Sequence, residues 1–121
     1  ILSNKPIQVF AKGKLLRDFT YIDDISGGIL AIFERQSKES PPPLMNIGNN
    51  NPVTVNELVA DLEQALGRSA KKEYFPMQPG DVPVTYADTT PLVQDFDFKP
   101  STPLREGLCK FAEWYNGYYN K

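Results

Sequence analysis

Four cations, Lys5, Lys12, Lys14 and Arg17, fall within the first 17 residues, and no acid lies among them. A guanidinium stays charged and presents a flat fork of N–H donors, and ammonium groups add point charges, so this segment suits a small anion such as a phosphate group. It suits a solvated loop equally well, because like charges gather on exposed turns. The acid lies elsewhere. Thirteen basic and 15 acidic side chains leave the whole chain at −2, which excludes bulk attraction to nucleic acid or anionic lipid. With no histidine and one cysteine, Cys109, zinc sites, histidine-based triads and internal disulfides are excluded too. Cys109 has Lys110 as its one basic neighbour and reads as inert.

At 121 residues, 40% hydrophobic and 23% charged, the chain has room for one small globular domain. Its longest apolar run, Ile29-Leu-Ala-Ile-Phe33, is too short to cross a bilayer. The chain opens at Ile1 with no secretory leader pattern, and it reads as a piece of something longer with a cytoplasmic location.

The elements that must hold the cationic segment follow from periodicity and turn chemistry. Ile7–Phe10 alternates as a strand, and Lys12-Gly-Lys14 marks a turn. Asp18–Ile22, aromatic and β-branched, reads as a second strand. A helix follows, capped by Asp23 or Asp24, with Ile25, Ile29, Ile32 and Phe33 on one stripe. Gly27 and Gly28 inside it make sense where another backbone approaches closely. A polar, proline-rich break covers Ser37 to Pro43, and Leu44–Ile47 reads as a short strand.

The clearest signal is a capping box, Thr54-Val-Asn-Glu57, with Val53 positioned to staple onto Leu58. It opens a helix whose apolar stripe, Val55, Leu58, Val59, Leu62 and Leu66, stops at Gly67. Lys71–Pro76 holds a further strand, and Pro79-Gly80 fits the centre of a type II turn. Thr90-Pro91 and Thr102-Pro103 are cap-and-first-turn pairs for two last helices. The second of these carries Leu104, Leu108, Phe111, Tyr115 and Tyr118 on one face. Mixed strands and helices with long loops give an α/β class, a small α+β unit.

Three blocks appear in order: Gly13-Lys-Leu-Leu-Arg-Asp-Phe-Thr-Tyr-Ile-Asp-Asp24, Asn46-Ile-Gly48 and Pro79-Gly-Asp-Val-Pro-Val-Thr-Tyr-Ala-Asp88. Together they resemble the C-terminal part of the extended short-chain dehydrogenase/reductase family, and within it the nucleotide-sugar epimerases. The Gln78-Pro-Gly-Asp-Val82 block and the Phe111-Ala-Glu-Trp-Tyr115 helix are most similar to UDP-glucuronate 4-epimerases. The resemblance covers essentially the whole chain.

That resemblance implies a site. Arg17 matches an arginine that holds the diphosphate. Gln8 and Phe10 match positions beside the uracil ring, Gln8 through its backbone and Phe10 as a flanking aromatic, although Phe10 fits core packing equally. Asp81 matches a residue that accepts hydrogen bonds from ribose hydroxyls, or else it closes its own turn. Gln78 departs from the arginine of galactose-type 4-epimerases. The departure removes a second phosphate clamp and favours a uronic-acid substrate. Tyr86, Tyr115, Tyr118 and Tyr119 read as packing residues.

The family's hydride machinery is missing from the sequence. No lysine follows any tyrosine in a Tyr-x-x-x-Lys spacing, and the eight glycines form no Gly-x-x-Gly-x-x-Gly loop. The resemblance therefore implies that residues 1–121 are the UDP-sugar-binding domain of an NAD-dependent epimerase, with no catalytic or metal-binding residues of its own. NAD would sit in an N-terminal domain outside this chain, against which the segment around Thr20–Phe33 packs. The parent enzyme is expected to be a homodimer that interconverts UDP-glucuronate and UDP-galacturonate at C4 through a 4-keto sugar. Polysaccharide biosynthesis is its natural setting. The isolated piece is expected to be inactive. A dehydratase or decarboxylase of the same family, or a non-catalytic interaction module, remains an alternative.

Overall fold

A computed structural model describes residues 1–35 and 44–119; the proline-rich break expected at Ser37 to Pro43 lies outside the described residues. Strand β1 (Ile7–Phe10) runs parallel to β4 (Lys72–Phe75), from Ile7 opposite Lys72 to Phe10 opposite Phe75. A second sheet of two-residue strands places β2 (Leu16–Arg17) at its centre, antiparallel to β3 (Val53–Thr54) and parallel to β5 (Val84–Thr85). Two stretches of chain thus run side by side from the first sheet into the second. Helix α1 (Ile22–Arg35) packs on α3 (Thr90–Phe96), and α2 (Val55–Leu66) packs on α4 (Leu104–Tyr119). The mixed α/β class is as expected.

Helix α2 forms as its sequence dictates. The Thr54 hydroxyl accepts from the Glu57 amide at 3.1 Å, and the Glu57 carboxylate accepts from the Thr54 amide at 2.8 Å. Gly67 ends the helix at φ 61°, in the left-handed region where a side chain costs about 1–2 kcal/mol. Asp97 takes the same conformation after α3, at φ 50°.

Several boundaries differ from expectation, each for a physical reason. Residues 18–21 form no strand. Their side chains bond the neighbouring loop instead: the Asp18 carboxylate accepts from the amides of Asn50 and Asn51 at 2.9 and 3.3 Å, and the Thr20 hydroxyl accepts from Asn49 at 3.0 Å. Helix α1 consequently starts at Ile22, inside the expected strand. Asp24 is no cap. It is buried, and its carboxylate accepts from the Thr102 amide at 2.9 Å, tying the start of α1 to the approach to α4.

Residues 44–47 have no ladder partner among the described residues and form no strand. The Asn46 side chain donates to the Asp88 carbonyl at 3.3 Å. Helix α3 begins at Thr90 itself, whose amide donates to the Asp88 carboxylate at 3.0 Å. Helix α4 begins one residue later than Thr102-Pro103 suggests, at Leu104.

The paired glycines of α1 answer to side chains, not to another backbone. A Cβ on Gly27 would lie 3.0 Å from the Phe98 ring, and one on Gly28 would lie 3.1 Å from Ile47. This side of α1 is buried, while Ile29 and Phe33 of the expected stripe stand 55% and 77% exposed beside Ile22 and Leu30. A similar shift occurs on α4. Its seam runs through the buried Gly107 and Ala112, flanked by half-buried Leu104, Leu108 and Tyr115. Phe111 and Tyr118 are exposed and join Trp114 and Tyr119 in a surface ladder, with the Trp114 and Tyr118 rings stacked at 5.7 Å. The core proper is small, centred on Val9, Leu15, Val59, Leu92, Phe96 and Ala112.

Candidate functional site

The connection from β4 to β5 is longer than the one from β1 to β2 beside it, and the surplus folds into a turn. The Asp81 amide donates to the Gln78 carbonyl at 3.2 Å, with Gly80 at φ 87°. This is the type II turn expected at Pro79-Gly80. Between the two connections lies an open cleft of about 520 Å³, lined by Ala11, Lys12, Tyr74, Phe75, Pro76 and Met77.

Arg17, on β2, reaches across to the turn. Its Nη1 donates to the carbonyls of Leu16 at 2.8 Å and Val82 at 3.0 Å, and its Nη2 pairs with Asp81 Oδ1 at 3.4 Å. Two carbonyls therefore aim the guanidinium, while one carboxylate shares its charge. The side chains of Arg17 and Asp81 remain 24% and 28% exposed, so water still screens the pair and the pairing contributes little stability, about 0–1 kcal/mol. An incoming anion can compete for such a guanidinium at modest cost.

The structure thus joins Arg17 to Asp81 and places Gln78, which is exposed, at the start of the same turn. Phe10 is half-buried at the end of β1, its ring 5.6 Å from that of Phe75, which lines the cleft. Gln8 shares the face of β1 with Phe10, since alternate residues of a strand point the same way, but it stands opposite Glu73 and does not line the cleft. Arg17 and Asp81 meet at the turn that Gln78 opens, Phe10 stands against the cleft-lining Phe75, and Gln8 lies outside that lining.

Two features carry no signal in the sequence: Phe75 backs Phe10, and the Val82 carbonyl orients Arg17. The turn marked by Lys12-Gly-Lys14 is present, but its geometry is not legible in advance: Ala11, Lys12 and Gly13 have φ values of 48°, 54° and 72°. Three successive residues in the left-handed region are unusual where two of them carry side chains. Asn56, on α2, holds this turn through a 2.9 Å bond from its Nδ2 to the Lys12 carbonyl. A Cβ on Gly13 would collide with the Asn56 carboxamide and would stand in the left-handed region, so glycine suits the position on both counts.

Gly13, Gly27, Gly28, Gly48 and Gly107 each face neighbouring side chains, and Gly67, Gly80 and Gly117 have open space where a Cβ would stand. No group of three or more metal-ligating side chains occurs among the described residues, and no helix among them is long and apolar enough to cross a membrane. A second groove of about 520 Å³ lies between residues 19–22 and α4, lined by Phe19, Tyr21, Leu104, Leu108, Phe111 and Trp114 among others. It is mainly apolar and contains none of the expected site residues.

No family model matches the chain. Individual proteins do. It is 40% identical over 136 residues to Protein CapI of Staphylococcus aureus, covering 100% of this chain and 41% of that protein. It is 41% identical over 134 residues to UDP-glucuronate 4-epimerase 1 of Arabidopsis thaliana, covering 98% and 31%. Among solved structures, the UDP-glucuronic acid 4-epimerase of Bacillus cereus in complex with UDP-glucuronic acid and NAD superposes with a TM-score of 0.85 at 30% identity, over 98% of this chain and 37% of that one. MoeE5 in complex with UDP-glucuronic acid and NAD gives 0.87 at 29%, over 97% and 38%. The chain spans between 31% and 41% of the length of these relatives. These similarities bear out the resemblance to nucleotide-sugar epimerases drawn from the ordered motifs.

Proposed function

We propose that this chain, similar along nearly its whole length to UDP-glucuronate 4-epimerases, is the substrate-binding part of an NAD-dependent nucleotide-sugar epimerase. Residues 1–121 form its C-terminal UDP-sugar-binding domain, and the NAD-binding half and the catalytic groups lie in the remainder of the protein. The reaction is the interconversion of UDP-glucuronate and UDP-galacturonate at C4. The parent enzyme is a cytoplasmic homodimer in this reading.

The observation that carries the proposal is the pairing of Arg17 with Asp81 on the turn opened by Gln78, a turn that follows directly in the chain from Phe75, Pro76 and Met77 of the cleft wall. Uracil sits against Phe10 and Phe75, Asp81 accepts from ribose hydroxyls, and Arg17 holds the diphosphate through its free donor edge. The task of these residues is positional. Fixing the nucleotide leaves the sugar to be presented to groups elsewhere, and a held anchor removes much of the entropic cost of orienting it. NAD supplies hydride chemistry to such an enzyme when bound; no step through it falls to the residues of this chain.

An amide-resolved NMR titration of the 121-residue chain with UDP tests the reading. Shifts confined to residues 8–17 and 75–82 are expected, at weak affinity because only part of the cleft is present. Shifts centred on the groove between residues 19–22 and α4, or none at millimolar UDP, would overturn it.

A further inference from the structure

We propose that Lys12 is a second diphosphate-binding residue, a role that rests on the nucleotide-binding reading above. The argument begins with charge. Arg17 is already joined to Asp81 at 3.4 Å, so the pair brings no net positive charge to an incoming anion. Gln78, at the start of the same turn, is neutral. A diphosphate placed there needs another cation.

Lys12 lines the cleft and is exposed. No carboxylate of the described residues forms an ion pair with it, whereas Arg17, Arg35, Lys72, Arg105 and Lys110 are all paired. Lys14, two residues on, is exposed but does not line the cleft.

The backbone fixes this lysine in place. Lys12 stands at φ 54° between two other left-handed residues, its carbonyl held by Asn56 Nδ2 at 2.9 Å, and Gly13 leaves the space that Asn56 occupies. Turn chemistry alone would favour glycine or asparagine at such a position. The Lys12 backbone is therefore anchored at the cleft's lip, and the flexible side chain carries its charge from that fixed point. Asn56 acts through the turn and is a positioning residue.

The test compares UDP with uridine on the 121-residue chain by NMR titration, for the wild type, Lys12→Gln, Lys12→Arg and Arg17→Ala. Glutamine keeps the bulk and the backbone strain and removes only the charge. Lys12→Gln is expected to weaken UDP binding by about 2- to 5-fold, the range for a solvent-accessible charge contact, and to leave uridine binding unchanged. Lys12→Arg restores UDP affinity. Unchanged UDP affinity in Lys12→Gln, or an equal loss for UDP and uridine, overturns the role given to Lys12. Arg17→Ala separates the two levels: if it weakens UDP while Lys12→Gln does not, this inference alone fails. If neither variant affects UDP, the nucleotide-binding reading fails with it.

Discussion

Replacing Arg17 with alanine separates folding from binding more cleanly than any other change in the molecule. In the free chain the guanidinium makes two carbonyl bonds, at 2.8 and 3.0 Å, and one carboxylate pairing at 3.4 Å. All lie at a partly hydrated surface, so their combined loss should cost about 1 kcal/mol of stability, or roughly 4 °C in Tm for a domain of this size. Bound UDP has more at stake. A hydrogen bond to a charged group contributes about 1.5–3 kcal/mol, which corresponds to a loss of roughly 10- to 150-fold in affinity. Arg17→Lys should fall between, because it keeps the charge and loses the fork. Asp81→Asn should weaken uridine as well as UDP, since its assigned contact is to the ribose. Isothermal calorimetry or NMR titration with both ligands reads these differences, and a melting curve controls for folding. If Arg17→Ala bound UDP as tightly as the wild type while remaining folded, the assignment of the diphosphate to this guanidinium would be refuted.

Three further outcomes are expected. Gly13→Ala should destabilise the chain by about 2–3 kcal/mol in chemical denaturation, combining a left-handed alanine with displacement of the Asn56 side chain. In an Asn56→Ala background the same change should cost only the backbone part, about 1–2 kcal/mol. Leu92 is fully buried, so Leu92→Ala should cost about 2–5 kcal/mol by the same measurement. The Glu63 carboxyl is held below its ordinary pKa chiefly by the Ala70 amide and then by Lys72. A depressed folded-state pKa contributes stability that is present above the unfolded value and lost as the pH falls through the folded one. Glu63→Gln should therefore flatten the acid limb of a stability-against-pH curve and leave its neutral-to-alkaline shape unchanged; an identical acid limb would contradict that origin.

How much was legible in advance depends on the range of the interactions. The capping box of α2, the Gly67 stop and the Pro79-Gly80 turn were all readable, because each closes hydrogen bonds or sets a dihedral within a few residues. Other features were local in appearance and tertiary in fact. Asp24 looked like a cap, and it bonds Thr102 across the fold. Residues 18–22 looked like a strand, and their side chains serve the loop at 49–51 instead.

The site divides in the same way. Motif order along the chain singles out Arg17, Asp81, Gln78, Phe10 and Gln8 as candidates through their resemblance to epimerase positions, but not which of them meet. Arg17 and Asp81 are paired only because β2 and β5 run in parallel and bring their connections together. The two-residue strands that do this are too short to show any periodicity. The clamp of Asn56 on the Lys12 turn was likewise silent, since an asparagine inside a helix carries no mark of what its side chain will reach.

What the sequence determined by itself was the set of local structures and the chemical types available: a cation-rich segment, a capped helix, a glycine turn, and no histidine. The tertiary structure alone decided which faces of α1 and α4 were buried, because close packing selected Gly28, Gly107 and Ala112 over the larger apolar residues beside them. It also decided that the cations of the first segment have different fates, Arg17 bound to a carboxylate and Lys12 held at the lip of a cleft. Composition fixes how much charge a chain carries, and only closure of the fold fixes how far each charge stands from the next.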